Sequence, residues 1–273
     1  MIKWLVTGAS SSIGYGIALA ALKAGNRVAV TSRSMDNLQK LTAQFPDQCF
    51  PIESELSDAE SMKNAIEKLN NFGSIDVLVN NAGHGYRAAV EEGEKDRIRE
   101  IYETNLFSPI KLIQEVLPHM RQQHRGAIIN ISSIAAVQSG VGSGYYASTK
   151  AALEQISRAL QEEVTNLGIK VMIVEPGGFR TEFYGENLKG TEHDISDYAA
   201  TAWKTHKKNV KNDHREPGDP IKAGQVIVDV IRKDNLPKTL LLGSDAVKFV
   251  NDQLAQRIEE IRDWQNISRK TDY

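Results

Sequence analysis

The chain has 273 residues, a formal net charge of −2 and one cysteine, Cys49. That length suits one large α/β domain over residues 1–273, the near-neutral charge gives nucleic acid no electrostatic footing, and a lone cysteine permits no internal disulfide and suggests no thiolate metal site. No apolar run approaches the roughly 18 residues of a membrane span, and a first strand at Ile2 leaves no room for a signal peptide, so a soluble, reducing, cytoplasmic setting is expected.

Lys3–Val6 reads as a short apolar strand. Thr7-Gly-Ala-Ser-Ser-Ser-Ile-Gly14 follows, then a helix through Ala18, Leu19 and Leu22 that stops at Gly25. Strand, glycine loop and helix are the setting in which backbone N–H groups approach a pyrophosphate and the helix dipole adds to them. Arg27–Thr31 is a second strand. An acidic residue at its end would bond the 2′-hydroxyl of NAD. Ser32 stands there instead, with Arg33 next, which points to the 2′-phosphate of NADP(H). A third strand runs around Cys49–Ile52; Glu55, Leu56 and Ser57 then lead to Asp58, the expected N-cap of a helix ending near Asn71. Ile75–Val79 is a buried strand closed by Asn80-Asn81-Ala82-Gly83, and His84, Gly85 and Tyr86 enter a loop at the carboxyl edge of the sheet.

A long helix is expected from Lys95 to Gln123. Pro109 within it has no N–H for the carbonyl of Asn105, which leaves that carbonyl open to a water. Gly126–Ser132 is the next apolar strand; Ser132 and Ser133 sit at its end, and Tyr146 and Lys150 lie on the helix beyond. Four residues apart, the last two leave the same helix face. A free tyrosine, with a pKa of about 10, is a poor base at neutral pH, and a neighbouring ammonium favours its phenolate. Such a phenol can exchange a proton with an alcohol or alkoxide oxygen. Lys170–Val174 is a sixth strand; residues 182–216 are polar with scattered aromatics and are expected to cover the substrate as a mobile lid. Lys204, Lys207, Lys208 and Lys211 fall near one solvated helix face there. Asp219-Pro220 opens another helix, and Thr239–Leu242 is a last strand before a charged terminal helix.

The glycine loop, Asn80-Asn81-Ala82-Gly83, Tyr146-x-x-x-Lys150 and Pro176-Gly177 together resemble the short-chain dehydrogenase/reductase family in its Tyr-x-x-x-Lys form, closely from residue 2 to about 181. The resemblance implies a single doubly wound Rossmann-type domain with a mostly parallel seven-stranded sheet. It implies hydride transfer between NADP(H) and a small-molecule carbonyl/alcohol pair. Ser133 and Tyr146 match the family spacing, whereas Tyr145 has Thr149 and no lysine four residues on. By resemblance Tyr146 is the acid/base, Lys150 lowers its pKa and bonds the nicotinamide ribose, Ser133 bonds the substrate oxygen, and Asn105 orders a relay water. Cofactor contacts are implied for Gly8, Ser10, Ser12 (standing where the pattern has its middle glycine), Ile13, Gly14, Arg33, Glu55, Leu56, Asn81, Ala82, Gly83, Tyr146, Lys150, Pro176, Gly177, Phe179 and Thr181. Asn80 is matched to an adenosine-ribose contact. The run ending at Ala246 is similar to that of steroid- and retinol-type members, which implies an extended apolar substrate. Pairing through the two long helices near Asn105 and Tyr146 implies a homodimer or homotetramer. The rival readings are an NAD-linked alcohol dehydrogenase and a non-catalytic NADPH-binding sensor.

Overall fold

The computed structural model describes residues 1–185, 188–192, 195–211 and 214–273. Its strands are β1 (Lys3–Val6), β2 (Arg27–Ser32), β3 (Cys49–Glu53), β4 (Val77–Asn80), β5 (Gly85–Arg87), β6 (Gly126–Ile131), β7 (Ile169–Pro176), β8 (Leu188–Gly190) and β9 (Thr239–Leu242). Seven of them form one parallel sheet in the order β3-β2-β1-β4-β6-β7-β9, the doubly wound Rossmann-type arrangement. Its helices are α1 (Ser12–Lys23), α2 (Gln39–Gln44), α3 (Ala59–Phe72), α4 (Lys95–Tyr102), α5 (Ser108–Gln123), α6 (Gly144–Glu163), α7 (Lys204–Lys211), α8 (Pro220–Ile231) and α9 (Ser244–Ser268).

Alternating strand residues feed two apolar layers. Val6, Val30, Val79 and Ile129 pack under α1 and α8, against Ile17 and Ile227. Leu5, Ala29, Leu78 and Ile128 pack on the other face against Met62 of α3, Leu112 of α5 and Leu160 of α6. Burial on both faces is why these strands read as continuous apolar runs rather than alternating ones. Asp58 caps α3 by accepting the Ser61 N–H at 2.7 Å, and Asp219 caps α8 by accepting the Ile221 N–H at 2.8 Å. No helix among the described residues is long and apolar enough to cross a membrane.

Three local expectations change. The helix from Lys95 to Gln123 is interrupted by a π turn at Glu103–Phe107, where the Ser108 N–H donates to the Glu103 carbonyl. Pro109, unable to donate to residue 105, accounts for the change of pattern. Residues 85 and 86 are not in a loop: β5 pairs in parallel with β8, Tyr86 opposite Lys189 and Arg87 opposite Gly190. That pairing joins segments about a hundred residues apart and has no local periodic signal. Within 182–216 lie β8, a π turn at Ala199–Trp203 and α7, while 186–187, 193–194 and 212–213 of the expected lid fall outside the described residues. Lys204, Lys207, Lys208 and Lys211 are all exposed. Helix α9 buries Ala246 and Val250 and exposes Leu254, Ile258, Ile261, Trp264 and Ile267.

Candidate active site

The carboxyl ends of the central strands converge on a groove of about 760 Å³. All the predicted site residues line it except Gly14, Asn80 and Asn105. At one end, Gly8 adopts φ +65°, and a β-carbon there would sit 2.9 Å from the Ala82 Cα. A β-carbon on Gly14 would overlap the Asn81 amide and the Gly8 carbonyl, so Gly14 shapes the loop from behind. Asn81 staples this turn, its Nδ2 donating to the carbonyls of Thr7 (2.9 Å) and Gly8 (3.1 Å). Ser11, the N-cap of α1, makes no side-chain cap. The turn therefore presents backbone to the groove at the positive end of a helix, which suits a pyrophosphate. Ser12 takes φ +60°, the left-handed region that the family glycine adopts without strain and that costs other residues about 1–2 kcal/mol. Its hydroxyl accepts the Glu182 N–H at 3.3 Å, tying the loop to the segment that follows β7.

Ser32 ends β2 buried, its hydroxyl accepting the Ser34 N–H at 3.3 Å, and exposed Arg33 stands at the groove margin. Among the described residues Arg33 has no ion-pair partner. The Glu55 carboxylate accepts the Ser57 N–H and hydroxyl, and the Leu56 carbonyl accepts the Ser108 hydroxyl at 2.6 Å. Asn80 departs from its expected adenosine contact. It is 3% exposed, does not line the groove, and donates to the Asn130 Oδ1 at 2.8 Å, so it joins β4 to β6 inside the sheet.

At the other end, Tyr146 and Lys150 rise from α6 into the same groove, both buried. The Lys150 Nζ lies 5.9 Å from the centre of the Tyr146 ring and donates to the Ile131 carbonyl at 2.9 Å. The Ser133 hydroxyl sits close enough to the phenol to draw its pKa down. Ser132 turns away and donates to Glu154 at 2.7 Å, and Tyr145 donates to the Val90 carbonyl at 2.6 Å, outside the groove. Asn105, fully buried, spends its side chain as a clamp: Nδ2 donates to the His84 carbonyl (3.0 Å) and Thr149 Oγ1 (3.2 Å), and Oδ1 accepts the His84 N–H (3.1 Å). Burial pushes the His84 imidazole down to about 4, so it is neutral at pH 7. Beyond β7, the Gly177 N–H donates to the Leu242 carbonyl at 2.9 Å and the Gly178 N–H to Asp245 at 2.7 Å. Phe179 pairs with Gly218, and Thr181 Oγ1 accepts the Phe183 N–H at 3.2 Å.

Burial pushes the Tyr146 phenol up to about 12, against the opposing pull of Ser133 and Arg87. The same burial brings Lys150 down to about 8, and Glu154 only partly offsets it. With water excluded, the charged form of each group is disfavoured, which raises a phenol and lowers an amine.

Three features of the site come from tertiary packing. Arg87 lines the groove yet is 8% exposed; its trace is a charge inside the otherwise apolar run around Tyr86. Asp245 faces the loop after β7, and Glu175 is buried near Glu154; sequence distance hides both pairings.

A family model for short chain dehydrogenases matches residues 3–192. The oxidoreductase BOA17 of Botryotinia fuckeliana is 33% identical over 249 residues, 90% of each chain. A crystal structure of a short-chain dehydrogenase from Streptomyces avermitilis superposes with a TM-score of 0.92 at 39% identity, over 100% of both chains. The alcohol dehydrogenase of the archaeon Thermococcus sibiricus, complexed with 5-hydroxy-NADP, superposes at 0.72 with 25% identity, over 89% of this chain and 96% of its own. Sharing sequence and fold with such proteins along nearly its whole length, this chain belongs to the short-chain dehydrogenase/reductase family and is an oxidoreductase that works with a nicotinamide cofactor.

Proposed function

We propose that the enzyme interconverts a carbonyl and an alcohol with NADP(H), and that Ser133, Tyr146 and Lys150 carry the chemistry. The observation behind this is one groove holding a buried phenol, a serine hydroxyl beside it and a lysine on the same helix face. The backbone of Gly8, Ser10, Ser12 and Ile13 takes the pyrophosphate. Glu55, Leu56, Asn81, Ala82 and Gly83 line the adenosine side, and Pro176, Gly177, Phe179 and Thr181 the nicotinamide side. The bound cofactor exchanges a hydride with the carbonyl carbon. Ser133 donates a hydrogen bond to the carbonyl oxygen, and Tyr146 passes it a proton. Lys150 holds the ribose and returns the proton, with a water on the Asn105 main-chain carbonyl completing the relay. A phenol held at about 12 stands protonated at neutral pH, which favours the reducing direction.

Residues 1–273 act as one domain in this reading, with 182–216 as the substrate cover. The Ser12–Glu182 bond and the Phe183 ring, 5.2 Å from that of Tyr146, favour such a cover. The setting is the cytoplasm, where the buried Cys49 stays a thiol.

Arg33 sets the cofactor. A charge-assisted bond to a 2′-phosphate contributes about 1.5–3 kcal/mol, so kcat/KM with NADPH should exceed that with NADH by about ten- to a hundredfold. Paired titrations of both cofactors against a panel of ketones and aldehydes test this, and Arg33→Ala should erase most of the difference. Equal efficiencies in the native enzyme would refute the assignment. The ligand of the Thermococcus sibiricus alcohol dehydrogenase, 5-hydroxy-NADP, agrees in kind.

We also infer a homodimer or homotetramer that covers Phe107 and Ile156, which are 50% and 44% exposed beside the long helices. Light scattering should give the mass of two or four chains, and Ile156→Glu should lower it. A native monomer would overturn this assembly.

A further inference from the structure

Arg87 ends β5 at the substrate side of the groove and is 8% exposed. Its guanidinium donates to the Ser143 hydroxyl, while its Nε has no partner. Among the described residues no carboxylate pairs with it; the ionisable groups around it are the phenols of Tyr184 and Tyr146 and the imidazole of His206. A cation held away from water with one neutral acceptor is costly to keep. Buried charges of this kind are ordinarily paired. Arg87 and Tyr146 line the same groove.

We propose that Arg87 receives a carboxylate of the substrate, so that the enzyme reduces oxo acids whose carboxylate lies on the guanidinium while the carbonyl meets Ser133 and Tyr146. This rests on the carbonyl-reductase reading and names its substrate class. A planar guanidinium matches a carboxylate through two parallel N–H donors. A single cation matches a single negative charge. Phe183 and Tyr184, both on the groove wall, give the body of the substrate an apolar surface. The reaction balances without another reagent: two electrons and a hydrogen reach the carbonyl carbon as hydride from NADPH, the oxygen takes a proton from Tyr146, and the carboxylate is unchanged.

The test uses straight-chain and phenyl-substituted oxo acids that differ in carbonyl-to-carboxylate spacing, each beside its methyl ester. In the native enzyme the best acid should exceed its ester in kcat/KM by about ten- to a hundredfold, chiefly through KM. Arg87→Met should abolish that ratio and Arg87→Lys should keep part of it, with the NADPH dissociation constant unchanged in both. An acid-to-ester ratio near one in the native enzyme, or a ratio that Arg87→Met leaves unaltered, overturns the proposal. Because the readout is a ratio within one protein, a general loss of stability does not imitate it. Calorimetric titration of the corresponding hydroxy acids and their esters into the NADP-loaded protein reads the same preference without turnover. If no carbonyl is reduced but the hydroxy acid binds tighter than its ester, and Arg87→Met removes that difference, the reductase reading falls and the anion site stands. No preference in the titration removes the anion site.

Discussion

Tyr146→Phe should slow carbonyl reduction by about 10²- to 10⁴-fold, the range that a positioned proton donor contributes, equal to roughly 3–5 kcal/mol of barrier. The substitution removes one oxygen from a ring packed against Phe183 at 5.2 Å and leaves that packing in place. The NADPH dissociation constant should stay within about twofold, since Gly8, Ser10, Ile13 and Arg33 are untouched. Steady-state rates together with fluorescence titration of NADPH check both halves. A variant with near-native turnover would remove Tyr146 from the chemistry. The pH dependence separates the two directions. With the phenol held at about 12, proton donation is available throughout the neutral range. Alcohol oxidation needs the proton removed, so its rate should climb with pH over the range where Lys150, at about 8, also loses its charge.

Glu175→Gln should make the ligand-free protein more stable above pH 7 and flatten its response to pH. Glu175 is 2% exposed, and one of its carboxyl oxygens has no hydrogen-bond partner. Burial, with the nearby Glu154 carboxylate adding to it and Arg158 opposing, pushes its pKa from 4.5 up to about 7. The folded state therefore holds this proton more tightly than the unfolded chain does. Its contribution is fully present below pH 4.5 and is lost as pH rises through about 7. At 1.36 kcal/mol per pH unit the full shift is an upper bound, and with solvent screening the loss should be about 1–3 kcal/mol. Urea unfolding of both proteins from pH 4.5 to 8 measures it, because groups common to the two cancel in the difference. Parallel stability curves would show that the carboxyl titrates normally. The site itself should change little, since Glu175 lies behind Pro176 and outside the groove lining.

The elements of the sheet were legible because each carries its own signal. β1 and β9 end where their apolar runs end, and Asp58 and Asp219 cap helices where a short acceptor precedes a helical pattern. The pair Tyr146 and Lys150 was legible for the same reason: helical spacing alone puts them on one face. The choice between Ser132 and Ser133 came from family spacing, and the fold places the first toward Glu154 and the second toward the phenol. The π turn was half legible. Pro109 announced a fault in the helix, but not that the ladder would shift register to absorb it.

What the sequence by itself determined is therefore local: which stretches become strand or helix, where glycine must bend the chain, and which two side chains share a helical face. Only the tertiary structure decided the pairing of β5 with β8, which carries Arg87 into the groove, and the stacking of Glu175 near Glu154. It also decided how strongly burial pushes up the Tyr146 phenol. The physical reason is common to all three. Dihedral preference and periodicity act over a few residues, whereas desolvation and charge depend on what arrives from distant parts of the chain to exclude water.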